Sequence, residues 1–97
     1  MVDTNEKFEA CSRLLRLTLA NRDGVKFLPF EGLNPGLRFD FDSGNIAVHG
    51  ALWSNLYFDF EAVDLQKGTP VIAESRQVSG PGEFQQLLSG LLERLST

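Results

Sequence analysis

The sequence predicts an α+β fold: an N-terminal helix, an antiparallel meander of four or five strands and a C-terminal helix, with both helices packed on one sheet face. Three observations carry this. Two stretches alternate aromatic and acidic residues, Phe39-Asp40-Phe41-Asp42 and Phe58-Asp59-Phe60-Glu61, which puts the rings on one side of a sheet and the acids on the other. Turn signals recur between the strand-like stretches. Apolar residues at three- and four-residue steps occupy both ends of the chain.

In order, Asp3 or Thr4 can cap the first helix, with Glu6 and Glu9 near its positive end. Phe8, Cys11, Leu15 and Leu19 form its apolar stripe, and the spacing predicts a helix from about Asn5 to Asn21, closed by Gly24. Val25–Leu28 reads as a short strand that Pro29 ends or confines to an edge. Gly32–Gly36 is loop chemistry. Strands follow at Leu37–Asp42, Ile46–Trp53, Leu56–Asp64 and Thr69–Val78, separated by turns at Asp42–Asn45, Ser54-Asn55 and Lys67-Gly68. Ser79-Gly80-Pro81-Gly82 opens the last helix, whose stripe is Phe84, Leu87, Leu88, Leu91, Leu92 and Leu95. Gly90 inside it suggests close helix packing. Phe39, Phe41, Ile46, Val48, Leu52, Phe58 and Phe60 form the sheet side of the expected core, and the opposite face is left uncovered.

At 97 residues the chain is expected to be a single domain, 1–97. Eight phenylalanines against one tyrosine and one tryptophan supply apolar area with no polar atom to satisfy. The net charge of −4 is unevenly spread. Residues 39–66 contain five acids and no lysine or arginine, while the segments on either side are close to neutral. Such a surface disfavours nucleic acid and anionic lipid and favours a basic partner. The single Cys11 excludes an internal disulfide. The N-terminus, MVDTNEKFEA, has no apolar signal-peptide core, and no stretch reaches the roughly 20 apolar residues of a membrane span. The expectation is a cytoplasmic protein, monomeric or a weak dimer.

Catalytic chemistry reads poorly. The only histidine, His49, is expected on the outer face near Asp59, but no nucleophile is positioned with them, and Ser43 and Ser54 are explained as turn residues. No cofactor motif is present. Asp40, Asp42, Asp59 and Glu61 carry the oxygen ligands a hard cation takes, yet a flat strand face spreads them apart, so no metal is expected. Simple solvation accounts for the acids alone. Tyr57, Val63, Ala47, Ala51 and Trp53 at outward positions give the face an interface composition, where rings supply area and charges steer association. Trp53 also suits a buried anchor at a hairpin end.

Trp53-Ser54-Asn55-Leu56-Tyr57-Phe58-Asp59-Phe60-Glu61-Ala62-Val63-Asp64, followed by Gly68, Val71 and Glu74, resembles the TriTu-type immunity proteins of bacterial polymorphic toxin systems. Those proteins have a Trp ending a strand, an Asp-Phe-Glu strand, an apolar-Asp pair, a Gly turn, then an acid and an amphipathic C-terminal helix. The likeness covers about Asn45 to Leu95. It departs at Thr69, where members often carry an acid, and at Ala73, where they often carry an aromatic. It implies a non-enzymatic antitoxin that binds a cognate secreted toxin domain, with a basic, nucleic-acid-targeting enzyme as the inferred target. The residues expected to touch the toxin are Asp40, Asp42, Trp53, Tyr57, Asp59 and Glu61. The rival class is another protein-binding module, such as a secretion chaperone or a homodimeric adaptor.

Overall fold

The computed structural model describes residues 4–95. Helix α1 (Thr4–Leu19) leads into strands β1 (Lys26–Phe30), β2 (Gly36–Ser43), β3 (Ile46–Trp53), β4 (Tyr57–Asp64) and β5 (Thr69–Gln77), and helix α2 (Pro81–Leu95) closes the chain. The strands form one five-stranded antiparallel sheet in sequence order. The predicted meander is observed with its fifth strand present, and the two helices contact each other. Asp3, one of the two candidate caps, lies outside the described residues.

The two aromatic alternations face inward as their period requires. Phe39, Phe58 and Phe60 are almost wholly buried, as are Cys11, Leu15 and Leu19 of α1 and Phe84, Leu88 and Leu91 of α2. Phe58 sits at the centre: its ring stacks on Phe39 (5.9 Å between centroids) and meets Phe84 of α2 edge-on at 5.0 Å. Burying each such ring stabilises the fold by roughly 1.5–3 kcal/mol, and the edge contact ties α2 to β4. On the α1 side, the Arg16 and Arg22 guanidinium carbons lie 5.1 and 5.0 Å from the centroids of Phe27 and Phe41, sealing the rim of the core with cation–π contacts.

Several boundaries differ from those the sequence predicts. α1 stops at Leu19 rather than Asn21, where Arg22 N–H donates to Leu19 O (3.0 Å), and Gly24 takes φ 74° in the following turn. β1 runs through Pro29 to Phe30. Pro29 is tolerated because β1 is an edge strand, so its missing N–H costs no ladder bond on the open side. The β3–β4 turn holds three residues, not two. Leu56 N–H donates to Trp53 O (2.8 Å), and Leu56 itself adopts φ 71°. The left-handed conformation costs about 1–2 kcal/mol for a non-glycine residue. Burial of the Leu56 side chain and a bond from Val78 N–H to Leu56 O (2.9 Å) offset it.

Gly90 is exposed, and a Cβ there would meet nothing within 4 Å. It does not serve close helix packing, contrary to the expectation from sequence. Gly90→Ala is therefore expected to raise stability by about 0.8 kcal/mol through helix propensity alone, readable as a higher denaturant midpoint.

Cys11 is fully buried. Burial raises its thiol from 9.0 to about 11, because the thiolate would lose its hydration. The folded value lies above the unfolded one, so the stability contributed is present below pH 9 and lost as pH rises toward 11. At pH 8, iodoacetamide should label native protein far more slowly than urea-denatured protein. Equal rates would show that α1 opens readily.

Candidate protein-binding face

The sheet surface opposite the helices is organised in rows by the strand register. One row runs Phe30, Gly36, Trp53; the next Leu28, Arg38, Ala51, Asp59, Ser75; the third Lys26, Asp40, His49, Glu61, Ala73; the fourth Asp42, Ala47, Val63. All six residues expected to contact a partner lie on this face. They do not form one uniform acidic patch. Lys26 pairs with Asp40 across β1 and β2, and Arg38 lies between Leu28 and Ala51. Asp42 is four residues along β2 from Arg38, about 14 Å away, and Tyr57 stands beyond the β3–β4 turn opposite Gln77.

Asp59 is occupied within the chain. Trp53 Nε1–H donates to its Oδ2 (3.0 Å) and Ser75 Oγ–H to its Oδ1 (2.6 Å). The carboxylate thus pins the indole of β3 and braces β5 against β4. Trp53 also meets Phe30 edge-on at 4.7 Å. Phe30 can lie against the sheet because position 36 is glycine: a Cβ there would stand 2.7 Å from Leu52 O and 3.1 Å from the Phe30 ring. Trp53 is half-buried. It is anchored at a hairpin end, as one sequence reading has it, and still presents a ring surface.

The small side chain of Ala51, ringed by larger ones, leaves a groove of about 450 Å³ lined by Leu28, Phe30, Arg38, His49, Gly50, Ala51, Trp53 and Asp59. A smaller hollow of about 230 Å³ lies toward β5, over His49, Asp59, Glu61 and Ser75. His49 does not pair with Asp59 as the sequence suggested. Its Nε2 lies 3.1 Å from Glu61 Oε1, directly across the strand pair. Ser75 gives its hydroxyl proton to Asp59 and sits two strands from His49, about 9.5 Å in the pairing direction. A nucleophile–base contact needs hydrogen-bond reach, which this arrangement does not provide. Asp64 belongs to the β4–β5 turn, where its Oδ1 accepts from Gln66 and Lys67 N–H (2.9 and 3.1 Å). Among the described residues no three His, Cys, Asp or Glu side chains converge as a metal site, and no helix is long and apolar enough to cross a membrane.

Leu28, Phe30 and Arg38 escaped the sequence reading of this face. Arg38 was legible in principle, because it shares parity with Asp40 on the same strand. Phe30 was not, because Pro29 hides the strand that carries it.

No protein-family model matches the chain, and no curated protein gives a significant match.

Proposed function

We propose that this protein is an immunity protein that binds a cognate secreted bacterial toxin in the cytosol of the producing cell and neutralises it through the outer sheet face. The observation that carries the reading is an uncovered sheet face on which a tryptophan–phenylalanine pair stands beside carboxylates. Rings give a partner contact area, and Asp40, Asp42 and Glu61 steer a basic surface toward it. The likeness of Trp53–Asp64 to TriTu-type immunity proteins supports the same class. A stoichiometric inhibitor needs fast association and slow release, not turnover, and an acidic rim on a basic partner raises the association rate.

The test is co-expression with the toxin domain encoded beside this gene, followed by calorimetry on the purified pair. Wild-type protein should restore growth. Asp40→Lys with Glu61→Lys should weaken binding at least tenfold, mostly through a slower, less salt-dependent association rate. Both positions are partly or fully exposed, so the fold should persist. Unchanged affinity in that double variant would sink the assignment of the face. A stable dimer by sedimentation with no effect on toxicity would point instead to the homodimeric adaptor.

A further inference from the structure

We propose that the groove over Ala51 anchors an apolar side chain of the toxin that is followed directly by a carboxylate, with Arg38 receiving the carboxylate. This rests on the immunity reading and names the chemistry of its central contact. The walls are apolar: Leu28 is 62% exposed, and the Phe30 and Trp53 rings stand beside it. The volume falls within the range of clefts that hold ligand-sized groups, roughly 300–1,000 Å³. Trp53 is already fixed by Asp59 and Phe30, so little side-chain freedom is lost when a group docks against it.

The groove holds one guanidinium, Arg38, and one carboxylate, Asp59. Arg38 is exposed, lies on the groove wall, and makes no ion pair or hydrogen bond among the described residues. Its cross-strand neighbours, Leu28 and Ala51, are apolar. The acid in the same row, Asp59, has both oxygens engaged by Trp53 and Ser75. A guanidinium in that setting is a carboxylate receptor beside an apolar slot. Adjacent side chains of an extended segment project to opposite sides, so the docking pair lies at a turn of the toxin chain, where both side chains face the sheet and one enters the slot while the next reaches Arg38. A basic toxin surface facing Asp40, Asp42 and Glu61 would therefore carry one acid at its centre, next to an apolar anchor.

The probe is acetyl-Phe-Asp-amide, titrated into isotope-labelled protein and compared with acetyl-Phe-Lys-amide and acetyl-Gly-Asp-amide. The signals read are the Trp53 indole N–H and the Ala51 amide. Acetyl-Phe-Asp-amide should move both, and the other two should bind about fivefold more weakly or worse. Arg38→Gln should bring acetyl-Phe-Asp-amide down to the level of acetyl-Phe-Lys-amide, and Arg38→Glu should reverse the preference. Equal binding of the Asp and Lys peptides, indifference to Arg38→Gln, or no shift of either signal would overturn the proposal. Growth rescue by wild-type protein alongside any of those results overturns the groove assignment alone. Failure of rescue overturns the immunity reading whatever the peptides do.

Discussion

Gly50→Ala should lose about 3 kcal/mol or more of stability, which for a chain of this size lowers the melting temperature by upwards of roughly 12 °C. Gly50 lies mid-strand in β3, on the inner side, between Phe39 of β2 and Phe60 of β4. A Cβ built there would stand 2.2 Å from Asp59 O, and 2.6 and 2.9 Å from the Phe39 ring. The first neighbour is backbone and cannot swing aside. The second is a ring with 2% exposure, stacked on Phe58, so moving it disturbs the centre of the core. Glycine in a strand normally costs stability, and here it marks a close approach of ring and backbone. Total stability of 5–15 kcal/mol is typical for such a domain, so the loss is a large share of it. Thermal unfolding followed by circular dichroism measures it, and a shift under 3 °C would mean that Phe39 does not pack over the glycine as described. Gly90→Ala, with open space around it, should move in the opposite direction and serves as the paired control.

Much of the fold can be read from residues whose burial is decided by parity. The alternation at Phe39-Asp40-Phe41 and Phe58-Asp59-Phe60 has one solution, because a slip by one residue would bury the acids and expose the rings. The helical stripes at Phe8–Leu19 and Phe84–Leu95 are similarly constrained. The site is less legible, for two physical reasons. The first is that charge counted along the chain is not charge on a face. A stretch free of cations begins at Phe39, but Arg38 is one residue earlier and Lys26 one strand away, and the register brings both onto the acidic surface. The second is the β3–β4 turn. Ser54-Asn55 looks like a complete two-residue turn. The structure uses Leu56 as a third, in a conformation that favours glycine and gives no sequence signal when leucine occupies it. That extra residue shifts the register by one and sets His49 opposite Glu61 instead of Phe60, so the carboxylate that His49 meets is Glu61. Ser75, the second support of Asp59, lies one strand further on and becomes visible only once β4 and β5 are in register.

Asp59→Lys should cost about 2 kcal/mol and free the Trp53 ring. Under the proposed immunity function it should also weaken toxin binding even if no toxin atom touches position 59. The carboxylate accepts from the indole N–H and from the Ser75 hydroxyl. A lysine offers neither acceptor: the part-buried indole N–H loses its partner, while the exposed Ser75 hydroxyl turns to water. The wall of the groove then loses the support that holds Trp53 against Phe30. Asp59→Asn separates the effects, since its single carbonyl oxygen can keep one of the two bonds while the charge is removed. If Asp59 acts through Trp53, Asp59→Lys should raise the rotational freedom of the indole, seen as lower fluorescence anisotropy of the only tryptophan, together with a lower melting temperature. Asp59→Asn should lie between the two in both readouts. If Asp59 instead meets a cation on the toxin, both variants should lose affinity with anisotropy and stability unchanged. Charge reversal here therefore mixes bracing with recognition. Among the described residues Asp40 accepts no hydrogen bond of this kind, and the Glu61 contact is to a histidine more than half exposed, so these two positions report the electrostatic contribution to the proposed toxin binding with the least disturbance of the groove.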